Sequence, residues 1–333
     1  MPRFLRTVLH QNVVVTAGAV PIEKDLGVNP ISFLTLTLRA LGATANTVPT
    51  LANILAIFAN VEVLFKGTTI VGGRLADLVP LLEHLWRTVP RIAHRSKVLN
   101  DVLILTTHIP FTRIPYWLKE AMPATRKGDL SLKLTPAAAF TNVGTVTVQV
   151  EQTELLDATP EQFIKVTTKT KTPSATGNDD IDMPLGNPLI GVLLFGTTVP
   201  DAGAFTASIS TVKFLVDNVE TDYSLTNWES LWGDGSLRGP QVRDFFDHLT
   251  HENLGGVYAQ HADSGLPQYI DTALHQHAYL DFDPLKDDNY LLDTEGRGRV
   301  HLQINFGVAD AVRALPVELI RLPGAAAAAR AAA

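Results

Sequence analysis

Two tandem all-β barrels, each carrying one helical insertion, are what this sequence predicts. Three observations carry that reading. Four sequence blocks occur twice in the same order. Most apolar runs are short and either continuous or alternating at period two, the mark of strands. Gly, Asn, Asp and Pro punctuate them at short intervals, and strands do not alternate regularly with helices, so a doubly wound α/β sheet is not expected. The chain has 333 residues, a length that suits two domains of ordinary size.

The first block, IEKDLGVNPISFLTL from Ile22 to Leu36, returns as IDMPLGNPLIGVLLF from Ile181 to Phe195. Leu26-Gly27 answers Leu185-Gly186, and Asn29-Pro30 answers Asn187-Pro188. Asn-Pro initiates a turn and extends the residue before the proline, so each block reads as a turn feeding a strand. The second block is VEVLFKG, Val61 to Gly67, echoed by VKFLVDN, Val212 to Asn218. Each is a strand ending in a turn former. In the third, Leu75, Leu78, Val79, Leu82, Leu85 and Trp86 fall at helical spacing, and Leu225, Trp228, Leu231 and Trp232 repeat that stripe more briefly. Trp228 and Trp232 read as core aromatics at i, i+4 rather than a cofactor pocket. The fourth block pairs GDLSLKLTP, Gly128 to Pro136, with GRVHLQINF, Gly298 to Phe306. A closing strand follows in each half: Thr145 to Gln152 and Leu315 to Arg321.

These blocks set the expected organisation. Residues 1–20 form an N-terminal arm outside the repeat, and 21–165 form the first barrel. VTTKTKTPSATGNDD, Val166 to Asp180, has the Thr, Lys, Gly and Asp content of a linker. Residues 181–323 form the second barrel, and 324–333 are a low-complexity alanine tail. Eight strands per half, with edges to be hidden, favour a jelly roll in each.

Composition narrows the function. Hydrophobic residues make up 46%, which excludes a disordered chain. Charged residues are 18%, against about 25% in an average soluble protein, as expected either of a molecule that covers much of its surface with copies of itself or of a large core with a sparsely charged surface. The net charge of −7 argues against a dedicated nucleic-acid binder. With no cysteine, disulfides, thiolate catalysis and cysteine-based zinc sites are excluded. No cleaved secretion signal is expected: His10, Gln11 and Asn12 interrupt the apolar stretch after Arg3 and Arg6. The apolar run Val48 to Phe65 carries Asn53, Asn60 and Glu62, too polar for a membrane span.

The paired IEKDLGVNPIS and IDMPLGNPLIG blocks, the paired VEVLFKG and VKFLVDN strands and the helix after each resemble the double jelly-roll major capsid proteins. That family builds tailless icosahedral viruses with an internal membrane and is related to the adenovirus hexon. The resemblance spans Ile22 to Leu322. It implies a homotrimer whose six barrels make a pseudo-hexagonal capsomer, packed against neighbouring capsomers and against minor capsid and vertex proteins. It implies a place in the virion, after synthesis in the host cytoplasm. It also implies contact between the arm, Met1 to Val20, and an internal viral membrane. In that arm Arg3 and Arg6 suit anionic head groups, and Phe4, Leu5, Val8 and Leu9 suit burial. A strand exchanged between subunits is the other reading of the arm, on Val13, Val14 and Val15.

The residues that invite chemistry lie in the second half: His248, His251 and His261, then His275, His277, Asp281 and Asp283. An H-x-H pair on a strand puts both imidazoles on one face, a metal-pair geometry. Duplicated cupins use such a pair, but here the position four residues on is Asp281 rather than glutamate, the framing glycines are missing, and the comparable stretch of the first half has only His108. A calcium site at Asp281, Asp283, Asp287 and Asp288 is the second metal reading, against a solvated acidic loop. No G-x-S-x-G, phosphate-binding or dinucleotide-binding glycine motif is present. GDGSLRG, Gly233 to Gly239, reads as a surface turn. A carbohydrate-binding pair of β-sandwiches would need exposed aromatic platforms, and only Trp117 stands outside the helical stripes. The expectation is therefore a structural protein with no catalytic centre, no cofactor, no resident metal and no sequence-specific nucleic-acid partner.

Overall fold

The computed structural model describes residues 3–43, 51–88, 90–94, 102–199, 206–238 and 276–323. Among them, residues up to Pro160 form one compact unit and residues from Glu161 onward a second.

The first unit contains strands β1 (Arg3–Val15), β2 (Ile22–Asp25), β3 (Ile31–Gly42), β4 (Phe58–Phe65), β5 (Thr68–Gly73), β6 (Arg91–His94), β7 (Val102–Pro110), β8 (Leu130–Pro136) and β9 (Val143–Leu156). Two helices interrupt them, α1 (Leu51–Leu55) and α2 (Leu75–Trp86). One sheet has the order β1-β9-β3-β7-β6 and the other β2-β8-β4-β5. The second unit contains β10 (Gln162–Val166), β11 (Lys169–Lys171), β12 (Gly177–Asp182), β13 (Leu189–Gly196), β14 (Ile209–Val216), β15 (Val219–Glu220), β16 (Thr226–Asn227), helix α3 (Trp228–Arg238), β17 (His277–Asp281), β18 (Val300–Phe306) and β19 (Val312–Arg321). Its sheets run β10-β19-β13-β17 and β12-β18-β14-β15.

Placed side by side, and leaving aside β6, β11 and β16, the two orders coincide strand for strand. β1-β9-β3-β7 answers β10-β19-β13-β17, and β2-β8-β4-β5 answers β12-β18-β14-β15. Sequence-distant strands interleave in two four-stranded sheets, which is the jelly roll. Apolar alternation explains why these strands face as they do. β8, LSLKLTP, buries every second residue, and β7 does nearly the same. β13, the LIGVLLF run, is buried along its whole length, as a continuous apolar strand requires. α2 packs on β7 and β4, and α3 on β17 and β14, so the helices too occupy equivalent places.

The equivalence extends to single hydrogen bonds. Asn29 Nδ2 donates to Glu154 Oε2, and Asn187 Nδ2 donates to Glu318 Oε2 at 2.9 Å. The Leu155 amide reaches the Pro30 carbonyl at 2.7 Å, and the Leu319 amide reaches that of Pro188 at 2.9 Å. Isolated bridges join Ile31 to Met122 and Leu189 to Leu292. Each Asn-Pro turn is thus fastened to the end of its barrel's last strand. The two glycines before these turns serve different purposes. Gly186 has φ +95°, a left-handed conformation that favours glycine. Gly27 instead admits the Gln152 side chain, whose oxygen accepts its amide at 2.8 Å; a Cβ there would meet Gln152 and Glu154 atoms within 3 Å.

Several expectations need correction. The stretch 3–15 is not an arm outside the repeat. It is β1, paired antiparallel with β9 from Arg3↔Leu156 to Val15↔Val146, and its counterpart is β10. Each jelly roll therefore begins one strand earlier than the four blocks suggest, and the division falls at Pro160–Glu161. The stretch 166–180 carries β11 and the start of β12, both paired within the second unit. Residues 51–55, inside the apolar run Val48 to Phe65, form α1. Leu225 precedes α3 and is exposed, and Trp232 is 42% exposed, so of the two tryptophans only Trp228 is core. Gly233 to Arg238 continue α3 rather than forming a turn.

Candidate functional site

Each barrel has two ends of different character. In the first, the end of β3, the start of β4, the end of β5 and the start of β7 share one end. The opposite end gathers the start of β1, the Asn-Pro turn at 26–30, the β4–β5 turn at Lys66-Gly67 and the loop 111–129. The second barrel repeats this: its Asn-Pro turn, the turn at Asp217-Asn218 and the loop 282–299 share an end.

At the first barrel's Asn-Pro end, a chain of aromatic contacts runs inward from the surface. Phe4 on β1 meets Tyr116 edge-on at 5.3 Å, Tyr116 meets Phe33 on β3 at 5.3 Å, and Phe33 meets Trp86 on α2 at 5.4 Å. Trp86 Nε1 donates to the Thr112 carbonyl at 2.8 Å. Beneath these, Arg113 Nε and Nη2 contact Glu120 Oε2 at 2.9 and 2.8 Å with both side chains fully buried, and the Arg113 amide donates to Glu120 Oε1. The loop 111–129 is thereby held by its own ion pair and presents Ile114 and Tyr116 outward, 40% and 45% exposed.

His108, on β7, lies against Phe33 and Trp86, with Nδ1 3.2 Å from Thr35 Oγ1. Burial pushes its imidazole down to about 4, and the Arg6 charge adds to the shift. A depressed folded value means a contribution fully present above the ordinary histidine range and lost as pH falls through about 4. Going from pH 7 to 4.5 should remove about 2–3 kcal/mol of wild-type stability through this residue. His108→Gln should lack that increment. Denaturant unfolding at both pH values measures it, and an equal wild-type-to-variant difference at the two would contradict the assignment.

The second-half cluster resolves into separate roles. His248, His251, His261 and His275 lie outside the described residues. His277 is buried on β17, its ring 5.2 Å from Phe195, over which the Arg313 guanidinium stacks at 3.5 Å. His277 and Asp281 stand at opposite ends of β17, about 13 Å apart at strand rise, so one ion cannot bridge them. Asp281 Oδ1 accepts the Asp283 amide at 2.8 Å, and Asp287 Oδ1 accepts the Asn289 amide at 3.2 Å: these carboxylates terminate turns. Among the described residues, no three His, Asp or Glu side chains converge as a metal site would need. Trp117 is half-buried beside the Arg113 guanidinium and forms no open platform.

What remains is surface. β1 is a long sheet-edge strand with Phe4, Leu5, Val8 and Val14 between 47% and 62% exposed. Long apolar edges are usually covered by a partner. Glu154 and Glu318, which fasten the Asn-Pro turns, were missed in the sequence. Their signal was there: Glu154-Leu155-Leu156 and Glu318-Leu319-Ile320 close the two last strands.

No family model matches the chain, and no curated protein does. Solved structures do. The crystal structure of the STIV major capsid protein superposes with a TM-score of 0.67 at 13% identity, covering 96% of this chain and 97% of that one. The major capsid protein of bacteriophage PM2 gives 0.59 at 13% identity, over 97% and 99%. The PBCV-1 capsid protein gives 0.59 at 9% identity, over 96% and 94%. The fold of this chain is therefore the double jelly roll that these capsid proteins share.

Proposed function

We propose that this chain is the major capsid subunit of an icosahedral virus and acts as a building block, not as a catalyst. The carrying observation is the strand-for-strand identity of two jelly rolls in one chain, set beside solved capsid proteins matched over nearly their whole length. Two equivalent barrels let three copies present six similar edges, so a closed threefold trimer becomes a pseudo-hexagonal tile. Such tiles pack against one another and against minor capsid and vertex proteins in the virion, after synthesis in the host cytoplasm. Contact with an internal membrane is proposed through the first residues of β1, where Phe4 and Leu5 are exposed beside Arg3.

The purified chain should have three times its 36.1 kDa monomer mass in native mass spectrometry and convert to large shells under assembly conditions. A stable monomer or dimer that never forms larger particles would count against the reading.

A further inference from the structure

The loop that closes the Asn-Pro end carries opposite charge in the two barrels. In the first barrel, residues 111–129 hold four bases, Arg113, Lys119, Arg126 and Lys127, against Glu120 and Asp129. Arg113 and Glu120 neutralise each other inside, and Asp129 faces Lys66 at 3.7 Å, while Arg126 and Lys127 stand exposed on the loop. In the second barrel, the equivalent residues 282–299 hold Asp283, Asp287, Asp288, Asp293 and Glu295 against Lys286, Arg297 and Arg299. Asp283 is buried, Arg299 is drawn to Asp180 and Asp182 on β12, and Arg297 to Asp217, so the exposed Asp287, Asp293 and Glu295 make the loop's outer face acidic. Both loops also show apolar side chains, Ile114 and Tyr116 on one, Leu285 and Tyr290 on the other, the last two at least 60% exposed. A chain of net charge −7 thus carries a basic, partly aromatic surface on one barrel and an acidic, partly aromatic one on its twin.

Resting on the trimer reading, we propose that the basic loop 111–129 of one copy docks beside the acidic loop 282–299 of the next. This pairing would favour the first-to-second junctions that a closed threefold ring requires. Equivalent loops of like charge would repel at every junction; opposite charge makes first-to-second junctions attractive and like-to-like junctions unfavourable. The occupant of each loop's outer face is therefore a second copy of this chain, with Tyr116 and Tyr290 as the aromatic contacts that such rims favour. Exposed charge acts mainly on encounter rate and is screened within about 8 Å at physiological salt, so the effect is ionic-strength dependent.

The test uses the full chain. Trimer formation after dilution from a dissociating condition is followed by light scattering at low and high salt. Wild type should assemble about tenfold more slowly at high salt. Arg126→Glu/Lys127→Glu, at two exposed side chains, should slow low-salt assembly by a similar factor and remove most of the salt dependence. Adding Asp287→Lys/Asp293→Lys to that variant should restore the rate, with circular dichroism confirming the fold of each protein. Assembly indifferent to salt and to Arg126→Glu/Lys127→Glu would overturn the pairing while leaving the trimer intact. So would a four-site variant no faster than the two-site one. A two-site variant that assembles normally but no longer binds anionic lipid vesicles would place the basic loop against lipid instead. No wild-type trimer at any salt would overturn the trimer reading itself.

Discussion

Deleting Met1–Val15 should abolish soluble folded protein, because it removes a strand and not an arm. β1 is registered with β9 from Arg3↔Leu156 to Val15↔Val146, interrupted only at two irregularities. Arg6 also pairs with Glu151, and Asn12 Oδ1 accepts from Arg39 Nη1 on β3 at 2.7 Å. Each lost backbone hydrogen bond is worth about 0.5–1.5 kcal/mol net. Several lost together exceed about 5 kcal/mol, the lower bound of a domain's whole stability. The truncation would also turn β9 into a bare edge, with Val146, Val148 and Val150 in an alternating pattern ready to pair with other chains. The expected outcome is insoluble protein, read as the soluble fraction after expression, with any soluble remainder melting well below wild type. A truncated chain that stays soluble, melts like wild type and fails only in particle assembly would restore the reading of these residues as a detachable arm.

Strands β3, β4, β8 and β9 and their counterparts β13, β14, β18 and β19 were legible in the sequence, and β1 with its twin β10 was not. The physical reason lies in burial. β8 and β18 sit between neighbours with one face on the core, so their sequences must alternate, and LSLKLTP and VHLQINF do. β1 is a sheet edge with nearly every residue exposed or half-exposed, so nothing constrains its pattern. Its twin β10 has only five residues. The shared Asn-Pro turns were readable because their chemistry is local, whereas their partners Glu154 and Glu318 lie 125 and 131 residues away. α3 was misread for a related reason. Leu225 and Trp232 have helical spacing, but the surface they stripe is not covered, and spacing alone does not reveal what covers a face. Within the candidate metal cluster, His277 and Asp281 are close in sequence and far apart on an extended strand. The loop pair 111–129 and 282–299 is the opposite case, where opposite charges on equivalent loops become visible only once the topology has shown the loops to be equivalent.

Arg113→Ala should destabilise the first barrel by about 3–5 kcal/mol, the usual consequence of leaving one member of a buried ion pair without its partner. Arg113 and Glu120 are fully inaccessible, joined by two guanidinium contacts and by the Arg113 amide. Removing the guanidinium strands the Glu120 carboxylate inside, where its charge can be relieved only by taking up a proton or by opening the loop. Opening would carry Tyr116 away from Phe4 and Phe33 and loosen the start of β1, so the loss should exceed that of an isolated surface pair many times over. Arg113→Met/Glu120→Met supplies the control: with both charges gone and the volume retained, the loss should be clearly smaller than for Arg113→Ala alone. Denaturant unfolding at pH 7 measures both, with Tyr116→Ala as a reference for the aromatic contacts by themselves. If Arg113→Ala proves no worse than Tyr116→Ala, the ion pair is not what holds the loop. The aromatic chain from Phe4 to Trp86 would then have to carry the end of the barrel on its own.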